Sequence, residues 1–237
     1  MAKIAGFGMR QYVQGYDLSA DSNSLTVATD QELYDVTGLD SSAVKRIIGM
    51  ANGTVSVDGF FDDAAGKSHA IYSSNSGKLP TADQIILLPI DSSVGDPMVG
   101  FLAKQANYNV TRAGGSAIAT SVEYSSNGYI PEWGVMLTSL QDTHSSATDG
   151  TAVDNSASTS AGGVGYLQVF SLGSGTVTVK VEDSADNVTY ADLITFTNAT
   201  GITAERATVS GTVDRYIRVS TSGTFTAAII ACGFGRY

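Results

Sequence analysis

The 237-residue sequence contains little of the chemistry that enzymes and cofactor-binding proteins use. It has one cysteine, two histidines and one tryptophan, and charged residues make up only 15% of the chain. A single cysteine excludes an intramolecular disulfide, and the apolar run around Cys232 indicates a buried thiol. Basic residues are also few, since 13 Lys and Arg stand against 23 Asp and Glu, a formal net charge of −10. This balance is opposite to the basic patch by which most proteins bind nucleic acid.

The residues that could carry catalysis lack the partners that catalysis requires. Neither His69 nor His144 lies near a Ser or Cys nucleophile with a third orienting group in the sequence, so we expect no catalytic residues and no enzyme. Asp62 and Asp63 precede a candidate helix and are explained as its caps, favoured by the helix dipole. A glycosidase would instead need two acids held across a cleft. We expect no cofactor and no resident metal.

The abundant residues predict a protein built mainly of β-strands. Gly, Ser, Thr, Ala and Val dominate, whereas Leu, Glu and Lys are scarce.

The first residues, Met1 to Gly8, are too short and interrupted for a secretory signal, and no apolar run approaches the length of a membrane span. We therefore expect synthesis in a cytoplasm, with no membrane partner.

The Gly-x-Gly patterns at residues 6–8 and 233–235 lack the strand, turn and helix context of a phosphate loop, so they are not nucleotide-binding signals.

The strongest strand pattern lies between Asn52 and Asp63. One face would carry Val55, Val57 and Gly59, and the other Thr54, Ser56 and Asp58. Asn52-Gly53 predicts a turn that leads into the strand. We expect the apolar face to pack in a core and the acidic face to meet water or a water-filled passage.

Further elements follow in the first half of the chain. Residues 1–16 predict an extended segment, and residues 24–30 a strand. Helical spacing predicts helices over residues 40–50 and 64–74, the second ended by Asn75-Ser76-Gly77. Further strands are expected at 84–90, at 99–112 with Phe101, Tyr108 and Val110 in the core, and at 117–124. That last strand would turn Ile118, Thr120, Val122 and Tyr124 to one face, and Ala117, Ala119, Ser121 and Glu123 to the other.

The composition changes after Leu140, and we place a domain boundary between residues 143 and 144. A stretch rich in Ser, Thr, Ala and Gly is followed by short alternating segments about ten residues apart, which predict an antiparallel β-sandwich of the jelly-roll or immunoglobulin-like kind. Asp183, Asp186 and Asn187 could form a surface ligand loop for calcium, but their spacing favours a hairpin turn. Tyr166, Tyr190, Tyr216 and Tyr237 could form a sugar-stacking platform, although strand periodicity favours core or rim positions.

Several spaced segments of the first half resemble the tail tube proteins of long-tailed bacteriophages. They are Asp35-Val36-Thr37, the run from Asp40 to Arg46, Gly49, and Gly-Thr-Val-Ser-Val-Asp-Gly-Phe-Phe-Asp from Gly53. The resemblance covers roughly residues 3–142. It implies that residues 1–143 form a tail-tube β-barrel or sandwich domain with one short helix. It also implies that six copies form a ring, and that rings stack into a hollow tube through which DNA passes.

The same resemblance implies partners and a location. The partners would be copies of the chain itself and the tape measure, terminator and baseplate proteins, with DNA passing through unbound. The protein would be made in the host cytoplasm and reside in the virion tail.

The second half resembles a β-sandwich that is appended to phage virion proteins and is similar to carbohydrate-binding jelly rolls. The residues that carry this resemblance are Val181 to Leu193, Gly211 to Val219, and the closing Gly-Phe-Gly-Arg-Tyr. It implies that residues 144–237 decorate the outer surface, with a host-surface glycan as an optional ligand.

Ser56, Asp58 and Glu123 are our candidates for the wall of the tube. An acidic wall of small residues would keep DNA from sticking, because each Lys or Arg contact to phosphate adds affinity. Three alternatives stay open: a carbohydrate-binding module, a glycan-degrading enzyme and, within the structural class, another virion part such as a tail terminator, baseplate hub or capsid decoration protein.

Overall fold

The computed structural model describes residues 9–74 and 78–237. Within these ranges the chain forms sixteen β-strands, one short α-helix and one 3-10 turn at Ser19–Asp21. The mainly β fold predicted from composition is confirmed, and the strands close no barrel. The described residues include no helix with the length and apolar character needed to cross a membrane. The expectations for residues 1–8 and for the turn at Asn75-Ser76-Gly77 lie outside the described residues.

The first half of the chain contributes eight strands and the helix. The strands are β1 (Tyr12–Val13), β2 (Tyr16–Asp17), β3 (Ser22–Asp35), β4 (Arg46–Phe60), β5 (Gln84–Pro89), β6 (Pro97–Thr111), β7 (Ala119–Ser126) and β8 (Glu132–Met136). The helix α1 (Ser68–Tyr72) lies between β4 and β5. β6 is the strand at which the sheet branches, because its first part pairs with β5 on one edge and β8 on the other, and its second part pairs with β7.

β3 and β4 form one long antiparallel hairpin that is paired along nearly its whole length. Two predictions are therefore wrong: the helix over residues 40–50, where β4 already begins, and the turn at Asn52-Gly53, through which β4 runs. Ile47 lies opposite Tyr34 in the hairpin, and a β-branched side chain facing an aromatic one favours a strand. The glycine of the presumed turn serves close packing instead, because a Cβ there would clash with Pro131.

The second predicted helix is confirmed in place but is shorter, and its capping differs from the expectation. The backbone N–H of Ser68, the first residue of α1, donates to the carboxylate of Asp21 at 3.0 Å. Asp62 accepts instead from the N–H of Ala64 at 2.9 Å in a local turn. The residue at the N-cap position, Lys67, makes no side-chain hydrogen bond to the helix. The cap is therefore supplied by a residue 47 positions earlier, which local sequence spacing cannot indicate.

The second half of the chain contributes eight more strands. They are β9 (Asp142–His144), β10 (Val153–Asp154), β11 (Gly163–Ser171), β12 (Ser174–Ser184), β13 (Ala191–Thr195), β14 (Thr203–Val209), β15 (Tyr216–Thr226) and β16 (Ala228–Arg236). A four-stranded sheet in the order β10-β15-β12-β13 packs on β11, β14 and β16 around an apolar core that includes Val179, Phe196 and Cys232. The predicted sandwich and the buried thiol are confirmed, and burial raises the pKa of the Cys232 thiol to about 12.

One sheet continues from the first half of the chain into the second. Its main path runs β14-β11-β16-β8-β6-β5-β1-β2, and β16 pairs with β8 across the two halves. The sheet curls so that β11 lies beside β5 and the turn between β1 and β2 without forming a strand ladder with them, and the side chain of Gln168 bridges the gap. Its carboxamide accepts from the N–H of Gly15 at 2.6 Å and donates to the carbonyl of Ile85 at 2.9 Å. An apolar cluster with Tyr12 and Tyr166 fills the inside of the curl.

Candidate functional site

The candidate site is the four-stranded sheet β3-β4-β7-β6, whose two faces differ sharply in chemistry. Val55 and Val57 of β4, and Val122 and Tyr124 of β7, are buried on one face. They pack with Tyr72 of α1 and with strands β5 and β6 in a single apolar core. The strand pattern between residues 54 and 59 is thus confirmed, and the opposite face of the same strands is left to solvent.

The opposite face brings together the three residues that the sequence singled out. Ser56 lies directly across from Glu123, and Asp58 lies across from Ser121 on the next rung of the same face. Asn107 of β6 donates its side-chain amide to the Glu123 carboxylate at 3.1 Å. Three strands that are distant in sequence therefore form one continuous polar surface, which we call the wall face. On β3 it continues through Ser24 and Thr26, which lie opposite Asp58 and Ser56.

The wall face is acidic and small in side-chain volume. Its residues from 54 to 58, from 107 to 111 and from 121 to 125 alternate so that Thr, Ser, Asn, Asp and Glu point outward. Lys104 lies at the margin, and its ammonium group pairs with Asp83 at 2.8 Å and donates to the carbonyl of Thr81. Asp58 and Glu123 make no ion pair with any residue that the structure describes. The surface therefore presents net negative charge.

Both lateral edges of this sheet are open among the described residues. β3 pairs with β4 on one side, and its other side has no strand partner. β6 pairs with β5 only as far as Ala103, so residues 104–111 pair with β7 alone. An open edge carries unpaired N–H and C=O groups that can accept another strand. Val110, predicted to lie in the core, is 49% exposed near this edge, which corrects that prediction.

The hairpin of β3 and β4 projects beyond the rest of the sheet as an arm. β7 pairs with β4 only from Thr54 onward, so residues 30–53 have no third strand beside them. At about 3.3 Å per residue, the paired part of this arm extends roughly 20–25 Å. It exposes many large apolar side chains, namely Leu33, Tyr34, Val36, Leu39, Val44, Ile47, Ile48 and Met50. This arm was not predicted, although apolar residues concentrated in a strand-forming hairpin are a signal for it.

The predicted surface loop is a turn in the structure. The Asp186 carboxylate accepts from the N–H groups of Val188 and Thr189, both at 2.9 Å, and these bonds lower the pKa of Asp186. Asn187 adopts a positive φ of 61°. Asp183 is buried and accepts from the N–H of Asp214. Within the described ranges, no group of three or more His, Cys, Asp or Glu side chains is arranged to hold a metal ion.

The four tyrosines do not form one platform. Tyr166 is completely buried, and its hydroxyl donates to Glu132. Tyr237 reaches the same carboxylate from an exposed position. Tyr190 instead lies under the guanidinium of Arg218 at 3.9 Å. A sugar-stacking surface built from all four rings is therefore excluded.

The histidines have local packing roles. His69 stacks near Phe61, and its Nδ1 lies 3.1 Å from the hydroxyl of Tyr108. His144 is buried in β9, with its Nε2 3.5 Å from Asp142.

Comparison with known proteins gives matches only at the level of structure. No protein-family model and no curated protein sequence matches the chain. The chain is similar to a protein in the virion of a native gene transfer agent (GTA) particle, with 16% identity and a TM-score of 0.40 over 54% of this chain and 96% of that one. It is similar to a protein in the tail of an empty GTA particle with C6 symmetry, with 17% identity and a TM-score of 0.38 over 52% and 91%.

A third likeness spans almost the whole chain. The SPP1 Dit (gp 19.1) protein, described as a hub adsorption apparatus in phages that infect Gram-positive bacteria, has 12% identity and a TM-score of 0.34 over 96% of this chain and 99% of that one.

Proposed function

We propose that the protein is a structural component of a phage virion tail whose copies form rings, and that these rings stack into a hollow tube for the passage of DNA. The observation that carries the proposal is a sheet with an acidic wall face and two open edges on opposite sides. An edge of β3 from one copy can pair with residues 104–111 of β6 from the next copy. Repetition of this contact closes a ring, which leaves no edge exposed.

The size of such a ring follows from strand geometry. Four wall strands from each of six copies would give a barrel of about 24 strands. With strands about 4.8 Å apart and tilted by about 35–45°, its backbone diameter is roughly 45–50 Å. Such a barrel leaves room for a DNA double helix after the small side chains of the wall face are added.

The chemistry of the wall face suits the passage of DNA and not its binding. Asp58 and Glu123 would recur around the ring and repel the phosphates of DNA, while Ser56 and its neighbours offer no apolar contact surface. Because DNA affinity arises largely from Lys and Arg contacts that release counterions, a wall whose marginal lysine, Lys104, is paired with Asp83 keeps friction low.

Residues 144–237 are proposed to form the outer layer of the tube. They join the sheet through β16 and β8, and not through the wall strands β3, β4 and β7. The division of the chain at residues 143 and 144 stays a prediction. So do the contacts with tape measure, terminator and baseplate proteins, the synthesis in a host cytoplasm, and the binding of a host-surface glycan by this layer.

The first test is electron microscopy of the full-length protein at high concentration. Hollow tubes of uniform diameter support the proposal. Single rings that do not stack would favour a terminator or baseplate hub, and monomers under all conditions would contradict ring formation.

The second test replaces Asp58→Lys together with Glu123→Lys and adds short duplex DNA to preformed tubes. We expect assembled tubes that retain DNA in a nuclease-protected form, because basic side chains in the lumen add salt-dependent affinity. The matched control is Asp63→Lys with Asp91→Lys, two acids outside the wall face. DNA bound by this control should remain sensitive to nuclease. Equal protection in both variants, or none in either with intact tubes, would refute the assignment of the wall.

A further inference from the structure

The sequence contains two Asn-Gly pairs, Asn52-Gly53 and Asn127-Gly128, and the structure places them in different environments. Asparagine is a chemically labile residue, because the backbone nitrogen of the following residue can attack its side-chain amide carbon. Glycine in the following position has no Cβ to hinder this approach. The attack needs a glycine nitrogen that is free of hydrogen bonds and a backbone that can move. The two pairs therefore expose the same chemistry to two different surroundings.

Asn52-Gly53 lies inside strand β4, where the attack is blocked. The two residues pair with Asp30 and Thr29 in the long hairpin. The N–H of Gly53 donates to the hydroxyl of Ser126 at 3.1 Å, and that hydroxyl donates to Oδ1 of Asn52 at 2.9 Å. Gly53 is also buried. The strand would have to open before its nitrogen could react, so this pair is protected in the folded chain.

Asn127-Gly128 lies in a turn directly after β7, where the glycine nitrogen is accessible. Both residues are exposed, and Gly128 adopts a positive φ of 83°. A Cβ added at Gly128 would meet no atom within 4 Å among the described residues. The N–H of Gly128 donates to no acceptor in the part of the chain that the structure describes. This nitrogen is therefore available as a nucleophile.

The side chain of Asn127 is held beside a second nitrogen, that of Lys104. The Asn127 amide nitrogen donates to the Asp83 carboxylate at 2.8 Å, and the Lys104 ammonium group pairs with the same oxygen at 2.8 Å. An ammonium ion has three donors and no lone pair, so Lys104 cannot attack the amide in this state. The nitrogen of Gly128 is left as the group that can react.

We propose that Asn127 is a site of self-modification through a succinimide, from which Asn52 is protected. The nitrogen of Gly128 loses its proton to water and bonds to Cγ of Asn127. The bond from Cγ to Nδ2 breaks, and the amide nitrogen takes up a proton and leaves as ammonia. Water then opens the ring at one of its two carbonyls. Opening at Cγ gives aspartate, whereas opening at the backbone carbonyl gives isoaspartate, in which the main chain passes through Cβ.

Either product changes the surroundings of the turn. The new carboxylate cannot donate to Asp83, so a hydrogen bond is replaced by two like charges. Isoaspartate also lengthens the main chain by one methylene ahead of Tyr129, whose ring lies 3.6 Å under the guanidinium of Arg206. We therefore expect the modified chain to melt at a lower temperature than the unmodified chain.

Peptide mass spectrometry of the full-length protein, incubated at mildly alkaline pH and sampled over weeks, provides the test. In the folded chain Asn127 should convert at least about 10-fold faster than Asn52, because a strand amide reacts only after local opening. In guanidinium chloride the two should convert at similar rates, since both glycine nitrogens are then free. Anion exchange separates the products for melting experiments, because each adds one negative charge to a formal net charge of −10. An isoaspartate-specific methyltransferase labels the isoaspartyl form.

Asn127→Gln is the matched variant, because its longer side chain would have to close a larger and less favourable ring. This variant should remain unmodified at position 127 under the same conditions. Since Asn127 is exposed, its thermal unfolding should stay close to that of the wild type, which shows that the variant folds.

The inference goes beyond the proposed function, and its test needs neither rings nor DNA. Conversion of Asn52 as fast as Asn127 in the folded chain would overturn it, as would an unmodified Asn127 while the denatured chain reacts. A peptide in which Lys104 and Asn127 are linked with loss of ammonia would overturn the role of Gly128. Equal melting temperatures of the modified and unmodified chains would overturn the expected effect on the turn.

Discussion

The side chain of Gln168 gives the sharpest test of how the two halves of the chain are joined. It is completely buried and bridges Gly15 and Ile85, which belong to the far end of the curled sheet. Gln168→Met keeps the length and nearly the volume of the side chain but removes both hydrogen bonds. The cavity contribution is therefore small, and the change reports on the polar contacts.

The expected magnitude follows from what each partner loses. The N–H of Gly15 would be left without its acceptor in the interior, which costs about 1–3 kcal/mol. The carbonyl of Ile85 also accepts from the N–H of Gln14 at 3.1 Å, so it loses only one of two bonds, or about 0.5–1.5 kcal/mol. We expect a total loss of about 1.5–4.5 kcal/mol in the free energy of unfolding, a large share of the stability of a typical domain.

Urea unfolding followed by circular dichroism measures this loss as a shift in the midpoint. The matched control is Gln31→Met, which changes an exposed glutamine of the arm and should shift the stability by less than about 0.5 kcal/mol. If Gln168→Met is as stable as wild type, the side chain does not join the sheet ends, and the reasoning is refuted. Gln168→Glu is a second variant for the same measurement. It keeps the oxygen that accepts from the N–H of Gly15, but it replaces the donor to the carbonyl of Ile85 with a second oxygen.

Two buried acids should respond to pH in opposite directions. Burial alone would favour the neutral form of Glu132, yet hydrogen bonds from Arg206, Tyr166 and Tyr237 hold its pKa below the ordinary value of 4.5. The ionised Glu132 therefore stabilises the fold above pH 4.5, and this stabilisation is lost as the pH falls through the pKa of the folded state. Glu132→Gln should lower the free energy of unfolding by about 3–5 kcal/mol at neutral pH, and the melting temperature of the variant should fall less steeply as the pH is lowered. A melting temperature that falls as steeply in the variant as in the wild type would contradict this role. Burial raises the pKa of Asp183, so its charged form costs stability that is regained as the pH falls through the folded pKa. Asp183→Asn should thus leave stability at neutral pH unchanged or higher, and a clear loss in the same melts would show that the carboxylate itself is needed.

The sequence alone determined those features that depend on local spacing. Alternation at residues 54–59 predicted which side chains of β4 are buried, because successive side chains of a strand point to opposite faces. The same rule placed Thr120, Val122 and Tyr124 on the buried face of β7 and Glu123 on the other. The abundance of β-forming residues likewise predicted the mainly β class.

Only the tertiary structure decided how distant segments meet. Residues 40–50 have helical spacing, yet β3 offers a pairing partner that a single-sequence pattern does not show, so the stretch contributes to a hairpin. The cap of α1 comes from Asp21, and the sheet ends are joined by Gln168 to Gly15, which are 153 positions apart. The hollow lined by Tyr129, Trp133 and Tyr237 forms because the last residue of the chain packs beside β8 and the loop before it. Local periodicity specifies which way a side chain points, and it therefore predicted the exposed face of β4 and β7. The partner that a strand meets depends on long-range strand pairing, and for this reason the hairpin of β3 and β4 was not predicted.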